Sequence, residues 1–374
     1  MHICFITSEF PKTGFPHGGV GIFVATLGKA LVEKGIQVSV IGLNYTDEEI
    51  TENINDIDVY RLPRKKFEGL TWLYNSNAIA KKIKEVHQKV PINFVETAEL
   101  GLAFLSKIKE IKYVIRLHGG HHFFTEKGKR HNWKVLQEKL SFKKADAFVA
   151  VSNYVKEGTN EFLSYHNKPI EVIPNPVETK IFQPAISQFE KYNIVFVGTV
   201  CPKKGLENLI EAFKHVVKKH PKAHLNIYGR EWFFPNKTSY TNLLKSKCNN
   251  DLLESITFHG AVNHNKLPQI YQAAHVCVFP SFVESQGIVV IEAMATEKVV
   301  AFSKIPIGCE TIVPFETGLL VDPLDAKDIA EKILWVFEHD KESKQIGINA
   351  RKYVMKTYDI DVILNKNIQF YTKI

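Results

Sequence analysis

Cysteine is scarce in this chain, and the cysteines present are scattered singly. The 374 residues include five: Cys4, Cys201, Cys248, Cys277 and Cys309. No two have CxxC spacing, and none stands at ligand spacing from a histidine, so we expect neither a structural zinc site nor any other bound metal. Residues 1–7 lack the basic start and long apolar stretch of a signal peptide. With an odd cysteine count, this predicts reduced thiols in a cytoplasmic protein.

Long apolar runs and biased tracts are also missing. No uninterrupted apolar run reaches the roughly 18 residues that a membrane-spanning helix needs. The 21 glycines and 16 prolines form no repetitive tract, which argues against collagen-like and long disordered segments. A composition of 45% apolar and 24% charged residues is ordinary for a globular protein, and the length favours two or three domains.

The charge balance is basic but not extreme. The formal net charge is +8 and the isoelectric point is about 9.0. A basic protein attracts anions in general, including nucleotides and lipid headgroups. Because the excess is mild in both halves of the chain, we expect no dedicated nucleic-acid domain and no nucleic-acid partner.

Short β-rich apolar runs alternate with stretches of helical periodicity, the pattern of a parallel sheet covered by helices. The strands predicted in the first half are His2–Thr7, Gln37–Gly42, Ile92–Glu96, Tyr113–Leu117 and Ala147–Val151. Closely spaced prolines break the rhythm near Pro174 and Pro176, and a second series starts at about Ile194. The chain therefore predicts an α/β fold with two doubly wound, Rossmann-like domains that face a cleft.

One stretch carries most of the chemical information. A predicted strand ends at Phe279, a polar loop follows, and a helix begins near Gly287. The start of a helix offers backbone N–H groups and a positive dipole end to a phosphate. Glu292, one turn into the helix, would repel a phosphate but can accept hydrogen bonds from sugar hydroxyls, as can Glu284 in the loop. The competing interpretation is a surface loop with a glutamate favoured by the helix dipole.

Pro280–Gly287, followed by Ile291–Ala295, resembles the signature of the family 4 retaining glycosyltransferases of the GT-B fold. Other segments along the whole chain resemble the same family in order and spacing. They are Gly18-Gly19, Leu117-His118-Gly119, Ala145–Ser152, Val172–Val177, Phe196–Gly198 with Lys204-Gly205, and Gly318–Val321. The resemblance implies the GT-B architecture.

The resemblance also implies a domain plan. We expect a domain on the acceptor side over residues 1–178, a linker over 179–192, and a domain that binds the nucleotide sugar over 193–355. The segment 356–374 is expected to form a helix that crosses back to the first domain. A helical tail without a following strand needs an apolar partner, which supports this expectation.

Carried over by position, the resemblance gives a set of candidate site residues. Catalytic roles fall on His118, Lys204 and Glu284, and contacts with the donor fall on Gly18, Gly19, Gly198, Thr199, Lys204, Arg230, Glu284, Ser285, Gln286, Gly287, Ile288 and Glu292. Two positions depart from the family pattern. Thr199 stands where the family usually has an arginine, and Gln286 replaces the commoner aromatic residue. Arg230 is a candidate to replace the missing cation.

The chemistry implied is a transfer with retention, without a bound metal and without a cofactor. Lys204, the glycine loop and the helix start would stabilise the charge that grows on the leaving diphosphate. The family analogy implies that the departing phosphate itself takes the proton of the acceptor. The donor is expected to be a UDP- or GDP-linked sugar. The D-x-D runs Asp56–Asp58 and Asp359–Asp361 are interpreted as solvated turns.

Two segments of the first domain are candidates for contact with an acceptor. The segment His121–Arg130 is basic and aromatic, and we interpret it as an acceptor-recognition loop. The alternative, a metal site at His118, His121 and His122, lacks an accompanying carboxylate in the sequence. The segment Arg61–Lys84 combines cations with aromatic residues and predicts either a solvated face or docking on an anionic membrane surface.

The favoured function is therefore transfer of a sugar from a nucleotide sugar to a glycan or lipid-linked acceptor, as in the biosynthesis of polysaccharides or glycoconjugates. Two other classes remain open: a nucleotide-sugar isomerase of the 2-epimerase type, and a non-catalytic module that binds sugars or nucleotides. The presence of Lys204, Glu284 and Glu292 together argues against the module. The expected location is the cytoplasm, with the inner face of the membrane as a candidate site of peripheral attachment.

Overall fold

The computed structural model describes residues 1–12, 18–66, 68, 70–124, 133–185 and 189–374. The chain forms two compact units. Unit 1 comprises residues 1–176 and 360–374, and unit 2 comprises residues 177–359. Of the helices in the described ranges, none combines the length and the apolar character that a bilayer-spanning segment needs.

Unit 1 is built on a sheet that has eight strands in the described residues, in the order β3-β4-β2-β1-β5-β6-β7-β8. The strands are β1 His2–Ile6, β2 Gln37–Leu43, β3 Ile50–Ile54, β4 Ile57–Leu62, β5 Phe94–Thr97, β6 Lys112–Leu117, β7 Ala147–Ala150 and β8 Ile170–Val172. All neighbours pair in parallel except β3 and β4, which form an antiparallel hairpin. The prediction of a parallel sheet covered by helices is confirmed for this unit.

The helices of unit 1 cover the sheet. They are α1 Gly19–Glu33, α2 Thr71–Lys89, α3 His121–Phe124, α4 Trp133–Lys144, α5 Asn153–Asn160 and α14 Ile360–Lys373. Helix α1 buries Phe23, Leu27 and Leu31, which recur at helical spacing and join the core with strand residues. The chain leaves this helix at Gly35, whose φ of +74° suits glycine.

Unit 2 repeats the plan with strands in the order β11-β10-β9-β12-β13-β14, all paired in parallel. The strands are β9 Asn193–Val197, β10 His224–Tyr228, β11 Ile256–Gly260, β12 Val276–Phe279, β13 Val299–Ser303 and β14 Leu319–Val321. The helices are α6 Leu206–Lys219, α7 Tyr240–Ser246, α8 Asn250–Glu254, α9 Leu267–Ala273, α10 Ile288–Ala295, α11 Pro306–Thr311, α12 Ala326–Glu338 and α13 Asp340–Thr357. The prediction of two Rossmann-like domains is thus confirmed.

Each sheet reverses its strand order at one place. In unit 2 the reversal lies between β9 and β12, and in unit 1 it lies between β1 and β5. At such a point the loops that follow two neighbouring strands run in opposite directions. A crevice forms between them at the carboxyl edge of the sheet, and α/β proteins bind ligands there. The loops after these four strands are therefore the first places to look for a site.

The terminal helix α14 belongs to unit 1. Its Ile363, Leu364 and Phe370 are buried in the core that α1 and the sheet form. The Arg116 side chain of β6 donates to Glu96 Oε1 at 2.6 Å and to Asn367 Oδ1 of α14 at 2.5 Å. The helix is therefore attached by both apolar packing and a buried polar network.

The unit boundaries differ slightly from the expected ones. Unit 1 ends at residue 176 instead of 178, and the chain returns to it at residue 360 instead of 356. The expected linker over 179–192 is part of unit 2. The chain returns later than expected because α13 continues to Thr357, and a short break at residues 358–359 then separates it from α14.

The hairpin of β3 and β4 was not predicted. Its turn holds Asn55 and Asp56, both with positive φ, and Asp58 accepts a hydrogen bond from Asn53 at 3.0 Å. An Asn-Asp pair between alternating residues is a known signal for this type of turn. Of the first D-x-D run only Asp56 lies in the turn, whereas Ile57 is buried and begins β4 with Asp58, so the interpretation as a solvated turn holds for Asp56 alone.

Candidate functional site

The loops after β9 and β12 bring Lys204 and Glu284 together in unit 2. Lys204 Nζ and Glu284 Oε1 form an ion pair, and both side chains are largely buried, with 16% and 14% of their surface exposed. Ser281 donates its hydroxyl hydrogen to the same carboxylate oxygen at 3.1 Å. A cation and a carboxylate thus lie side by side at the strand-order reversal of this unit.

Backbone contacts hold the two loops against each other. The Phe282 N–H donates to the Lys203 carbonyl at 2.8 Å. Gly205 has a φ of +70°, and a Cβ there would lie 1.9 Å from the Pro280 carbonyl oxygen. Any side chain at position 205 would push the loops apart. Glycine at this position is therefore required for Lys204 to reach Glu284.

The Thr199 hydroxyl meets Arg230. Arg230 Nε donates to Thr199 Oγ1 at 3.3 Å, and the pair is exposed. A Cβ at Gly229, whose φ is +156°, would lie 1.7 Å from the Gly198 carbonyl oxygen, so the loops after β9 and β10 touch through their backbones. The guanidinium of Arg230 therefore stands beside Thr199, the position where the resemblance led us to expect a cation.

Helix α10 starts as expected and buries its glutamate more deeply than expected. Gly287 caps the helix with a φ of +78°, and Ile288 is the first helical residue. Gln286 is buried and Ser285 is half-buried. Glu292 is 3% exposed and has two protein partners, described below. The residues from 284 to 292 thus form one continuous stretch of loop and helix after β12.

In unit 1 His118 follows directly after β6, at the carboxyl edge of the sheet. Its ring packs edge-on against Phe23 of α1, with 5.3 Å between the centroids. Loss of hydration, with a smaller contribution from the charge of Arg116, lowers the pKa of His118 to about 3. The imidazole is therefore neutral near pH 7, which suits a hydrogen-bonding or dipolar contact and not proton donation by an imidazolium.

Two buried carboxyl groups hold the loop after His118. Glu138 Oε1 accepts the His121 N–H at 2.5 Å, and Oε2 accepts the His122 N–H at 3.2 Å. Glu99 lies close to the backbone N–H groups of His118 and Gly119, which favour its ionised form. Between them lies position 120, where a Cβ would sit 2.4 Å from Glu138 Oε1. The loop is thus fixed through its backbone.

One of the two buried carboxyl groups, Glu99, has a raised pKa. Loss of hydration raises its pKa to about 7, the charge of Glu138 adds to the rise, and the backbone donors oppose it. Its Oε1 is buried and has no hydrogen-bond partner in the described part of the chain. The neutral and ionised forms of this carboxyl are therefore close in free energy near pH 7.

The structure corrects two expectations for the histidine-rich loop. His122 is fully buried, and its Nδ1 lies 3.0 Å from Glu138 Oε2, so a carboxylate does accompany the histidines. His122 is therefore unavailable to an acceptor. Residues 125–130 of the expected recognition loop lie outside the described residues. Within the described residues no three His, Cys, Asp or Glu side chains are grouped closely enough to hold a metal ion.

The glycine loop of unit 1, Gly18-Gly19, donates a hydrogen bond to a carboxylate. The Gly18 N–H donates to Glu9 Oε2 at 3.2 Å, and Gly18 is the residue that caps α1, which starts at Gly19. A carboxylate thus occupies the start of the helix, where the resemblance led us to expect a phosphate. Glu9 was not among the predicted site residues.

Some cations of the basic segment Arg61–Lys84 form ion pairs within unit 1. Arg61 is 5% exposed and donates to Glu52 Oε1 at 2.6 Å and to the Phe10 carbonyl at 3.0 Å, so it is wrong to count it as a surface cation. Lys82 pairs with Glu49 at 2.8 Å. Lys65 and Lys66 are exposed.

Two side chains that contact Glu292 were not predicted from the sequence. His264 stands in a short turn after β11, and Tyr271 lies on α9. They precede Pro280, the first residue of the motif, by 16 and 9 residues, and no spacing in the sequence links them to it. A tyrosine that is buried with its hydroxyl inward looks, in sequence, like any core aromatic residue.

Fold and site together define a glycosyltransferase of the GT-B type. Residues 17–181 match the family model described as Glycosyltransferase Family 4, and residues 177–353 match Glycosyl transferases group 1. The chain belongs to the family 4 glycosyltransferases.

Individual relatives agree with this assignment. The uncharacterized glycosyltransferase MJ1607 of Methanocaldococcus jannaschii is 28% identical, over 99% of this chain and 98% of its own length. The capsular polysaccharide biosynthesis glycosyltransferase CapM of Staphylococcus aureus is 27% identical, over 89% of each chain. Sucrose-phosphate synthase from Thermosynechococcus elongatus has the same fold, with a TM-score of 0.83 at 23% identity over 100% of this chain and 98% of its own.

Proposed function

We propose that this glycosyltransferase takes its sugar from a nucleotide sugar, that unit 2 binds this donor, and that the transfer retains the anomeric configuration without a bound metal. The observation that carries the proposal is the pair of Lys204 and Glu284 at the strand-order reversal of unit 2. A solved structure of Anabaena Alr3699/HepE in complex with UDP-glucose has the same fold, with a TM-score of 0.80 at 18% identity over 100% of each chain.

The roles follow from the chemistry of a nucleotide sugar. Its diphosphate is an anion, so Lys204 would leave Glu284 and bind a phosphate oxygen. Glu284 would then accept hydrogen bonds from hydroxyls of the transferred sugar. Backbone N–H groups after Gly198 and Gly287 and the guanidinium of Arg230 add donors for the diphosphate. Glu292 would accept hydrogen bonds from the ribose.

In the transfer, the bond between the anomeric carbon and the phosphate oxygen breaks, and a bond to the acceptor oxygen forms on the same face. The acceptor proton moves to the departing phosphate oxygen. Products are a nucleoside diphosphate and a glycoside, so atoms and charge balance without a nucleophile from the protein. Lys204 stabilises the charge that develops on the phosphate.

The acceptor that we propose is a hydroxyl of a glycan or of a lipid-linked sugar. The proposed location of the enzyme is the cytoplasmic side of a membrane. A relative from Campylobacter jejuni, named for transfer of N-acetylgalactosamine to a diphospho-undecaprenol-linked sugar, is 25% identical over 97% of this chain and 99% of its own length.

A nucleotide screen followed by product analysis tests this function. Thermal shift should detect stabilisation by one class among UDP, GDP, ADP and dTDP sugars, since a ligand at 100 times its Kd adds about 2.7 kcal/mol. NMR of the product should then show retention, and EDTA should leave the rate unchanged. A sugar isomer formed from the donor alone would show an isomerase instead, and donor binding without turnover over a panel of glycan and lipid-linked acceptors would favour the binding module.

A membrane surface is the proposed partner of the start of α2. Leu70 and Tyr74 are 47% and 43% exposed, and Lys65 and Lys66 precede them. Exposed apolar side chains beside cations suit an anionic bilayer. Replacing both lysines by serine should weaken sedimentation with anionic vesicles, whereas the same change at the exposed Lys218 and Lys222 of unit 2 should not. Equal binding of all three proteins, or no binding by the parent protein, would contradict this.

A further inference from the structure

Both carboxylate oxygens of Glu292 are engaged by neighbouring side chains. His264 Nε2 lies 2.6 Å from Oε1, and the Tyr271 hydroxyl donates to Oε2 at 3.0 Å. The glutamate side chain is only 4% exposed. Two elements outside α10 therefore determine how the plane of this carboxylate is oriented.

Both partners act as hydrogen-bond donors near neutral pH. Tyr271 is fully buried, and loss of hydration together with the nearby Glu292 raises its pKa well above the usual range, so its hydroxyl keeps the proton. Burial alone would lower the pKa of His264, but the hydrogen bond to Glu292, the charge of Glu292 and the charge of Glu178 outweigh it and raise the pKa. A carboxylate only accepts hydrogen bonds, so Nε2 carries a hydrogen and donates in the neutral and in the protonated ring alike.

Packing fixes the position of the His264 ring. It lies edge-on to Phe182, with 5.5 Å between the ring centroids, and its side chain remains 33% exposed. Tyr271 also lies close to Phe182, at 6.1 Å between centroids. One buried aromatic ring thus supports both donors.

The contacts with His264 and Tyr271 determine which lone pairs of the Glu292 carboxylate a ligand can use. A carboxylate offers about four lone-pair directions, two on each oxygen. His264 and Tyr271 each use one, on different oxygens, and among the described residues no other donor takes the remaining direction on each oxygen. A group that presents two hydroxyls on neighbouring carbons can satisfy both at once. The 2′- and 3′-hydroxyls of a ribose are such a group, whereas a 2′-deoxyribose offers one.

We infer that His264 and Tyr271 are positioning residues that aim the Glu292 carboxylate at the ribose diol of a nucleoside diphosphate, and that they thereby select ribonucleotides over 2′-deoxynucleotides. The inference rests on the proposed function, which places the nucleotide in unit 2. It adds two residues and a substrate preference to that proposal.

The ratio of Kd values for paired nucleotides tests the inference. The probes are UDP, GDP and ADP with their 2′-deoxy counterparts, titrated calorimetrically into the full-length protein. For the nucleotide that binds, the parent protein should prefer the ribo form by about tenfold or more, the usual scale for a hydrogen bond to a charged acceptor. In His264→Phe and Tyr271→Phe the preference should fall below about threefold, because the rings remain but the donors are lost.

Two control variants separate positioning from a merely structural role. His264→Gln keeps an N–H donor and should retain the preference. Tyr240→Phe removes another buried tyrosine hydroxyl of unit 2, which donates to Glu207 at 3.1 Å, and should also retain it. A loss of thermal stability without a change in the ratio would overturn the inference.

A parent protein that binds ribo and deoxy forms equally would overturn this inference while leaving a nucleotide site in place. A parent protein that binds neither these three nucleotides nor dTDP would overturn the proposed donor as well, whereas one that binds dTDP alone would overturn only this inference. The two failures are therefore distinguishable.

Discussion

Carboxyl groups in the two units have different kinds of partner. In unit 1 Glu138 accepts backbone N–H groups, and Glu96 is locked between Arg116 and the Tyr371 hydroxyl, which donates to it at 2.6 Å. In unit 2 Glu284 is held by the side chains of Lys204 and Ser281. Backbone donors and the buried Arg116 and Tyr371 side chains cannot turn away, whereas a lysine can exchange a carboxylate for a phosphate. We therefore expect Glu96 and Glu138 to maintain the fold of unit 1 and Glu284 to remain available to a ligand.

The largest effect on stability is expected at Arg116. Replacing it by Met should leave Glu96 as an uncompensated buried charge and lower the free energy of unfolding by about 3–5 kcal/mol. Lys373→Met is the matched control: Lys373 also joins α14 to the sheet, through Glu171 at 2.8 Å, but is 74% exposed. Its loss should cost less than about 1 kcal/mol. If chemical denaturation shows that both variants lose the same free energy of unfolding, the distinction between buried and exposed pairs in unit 1 is contradicted.

The largest effect on activity is expected at Lys204. Lys204→Ala should depress single-turnover transfer by about 2–4 kcal/mol of transition-state stabilisation and weaken ground-state donor binding less, since the charge on the phosphate grows as the bond breaks. Lys203→Ala, at the neighbouring exposed lysine, should leave both nearly unchanged. An unchanged rate in Lys204→Ala would refute the assignment of this loop to the diphosphate.

Glu99 should make stability depend on pH in a direction opposite to that of most carboxyls. Its folded pKa of about 7 lies above the unfolded value of 4.5, so the folded state holds a proton that the unfolded state has lost between those values. Stability should therefore fall as pH rises through this window, by about 3 kcal/mol for this group. Glu99→Gln should be more stable than the parent at pH 8 and about equally stable at pH 4. A difference in free energy of unfolding between Glu99→Gln and the parent that does not increase with pH would contradict this.

The smallest effect is expected at Thr199. Arg230 already stands beside it, so Thr199→Arg should leave the fold intact and change the Kd for the donor by less than about tenfold in either direction, most simply toward tighter binding. Arg230→Ala should weaken donor binding more than Thr199→Arg changes it. If Arg230→Ala has no effect on the Kd, the guanidinium is not the second cation.

The comparison also explains what the sequence could predict. Lys204 and Glu284 follow predicted strands in recognisable loops, so their neighbourhood could be anticipated. His264 and Tyr271 lie in the preceding turn and helix, and a contact with Glu292 depends on how α9 packs on α10, which no local pattern encodes. Arg116 alternates with apolar neighbours in β6 as an exposed residue would. Its burial depends on the return of α14, more than 200 residues later.

The most direct test of the difference between the two units is to measure stability and donor affinity on the same pair of variants, Glu138→Gln and Glu284→Gln. The donor is the nucleotide sugar that thermal shift selects with the parent protein. We expect Glu138→Gln to lower the free energy of unfolding while the folded protein keeps its Kd for the donor. Glu284→Gln should alter donor binding and turnover with a much smaller change in stability. The reverse pattern, or equal effects of both variants on both quantities, would contradict the account.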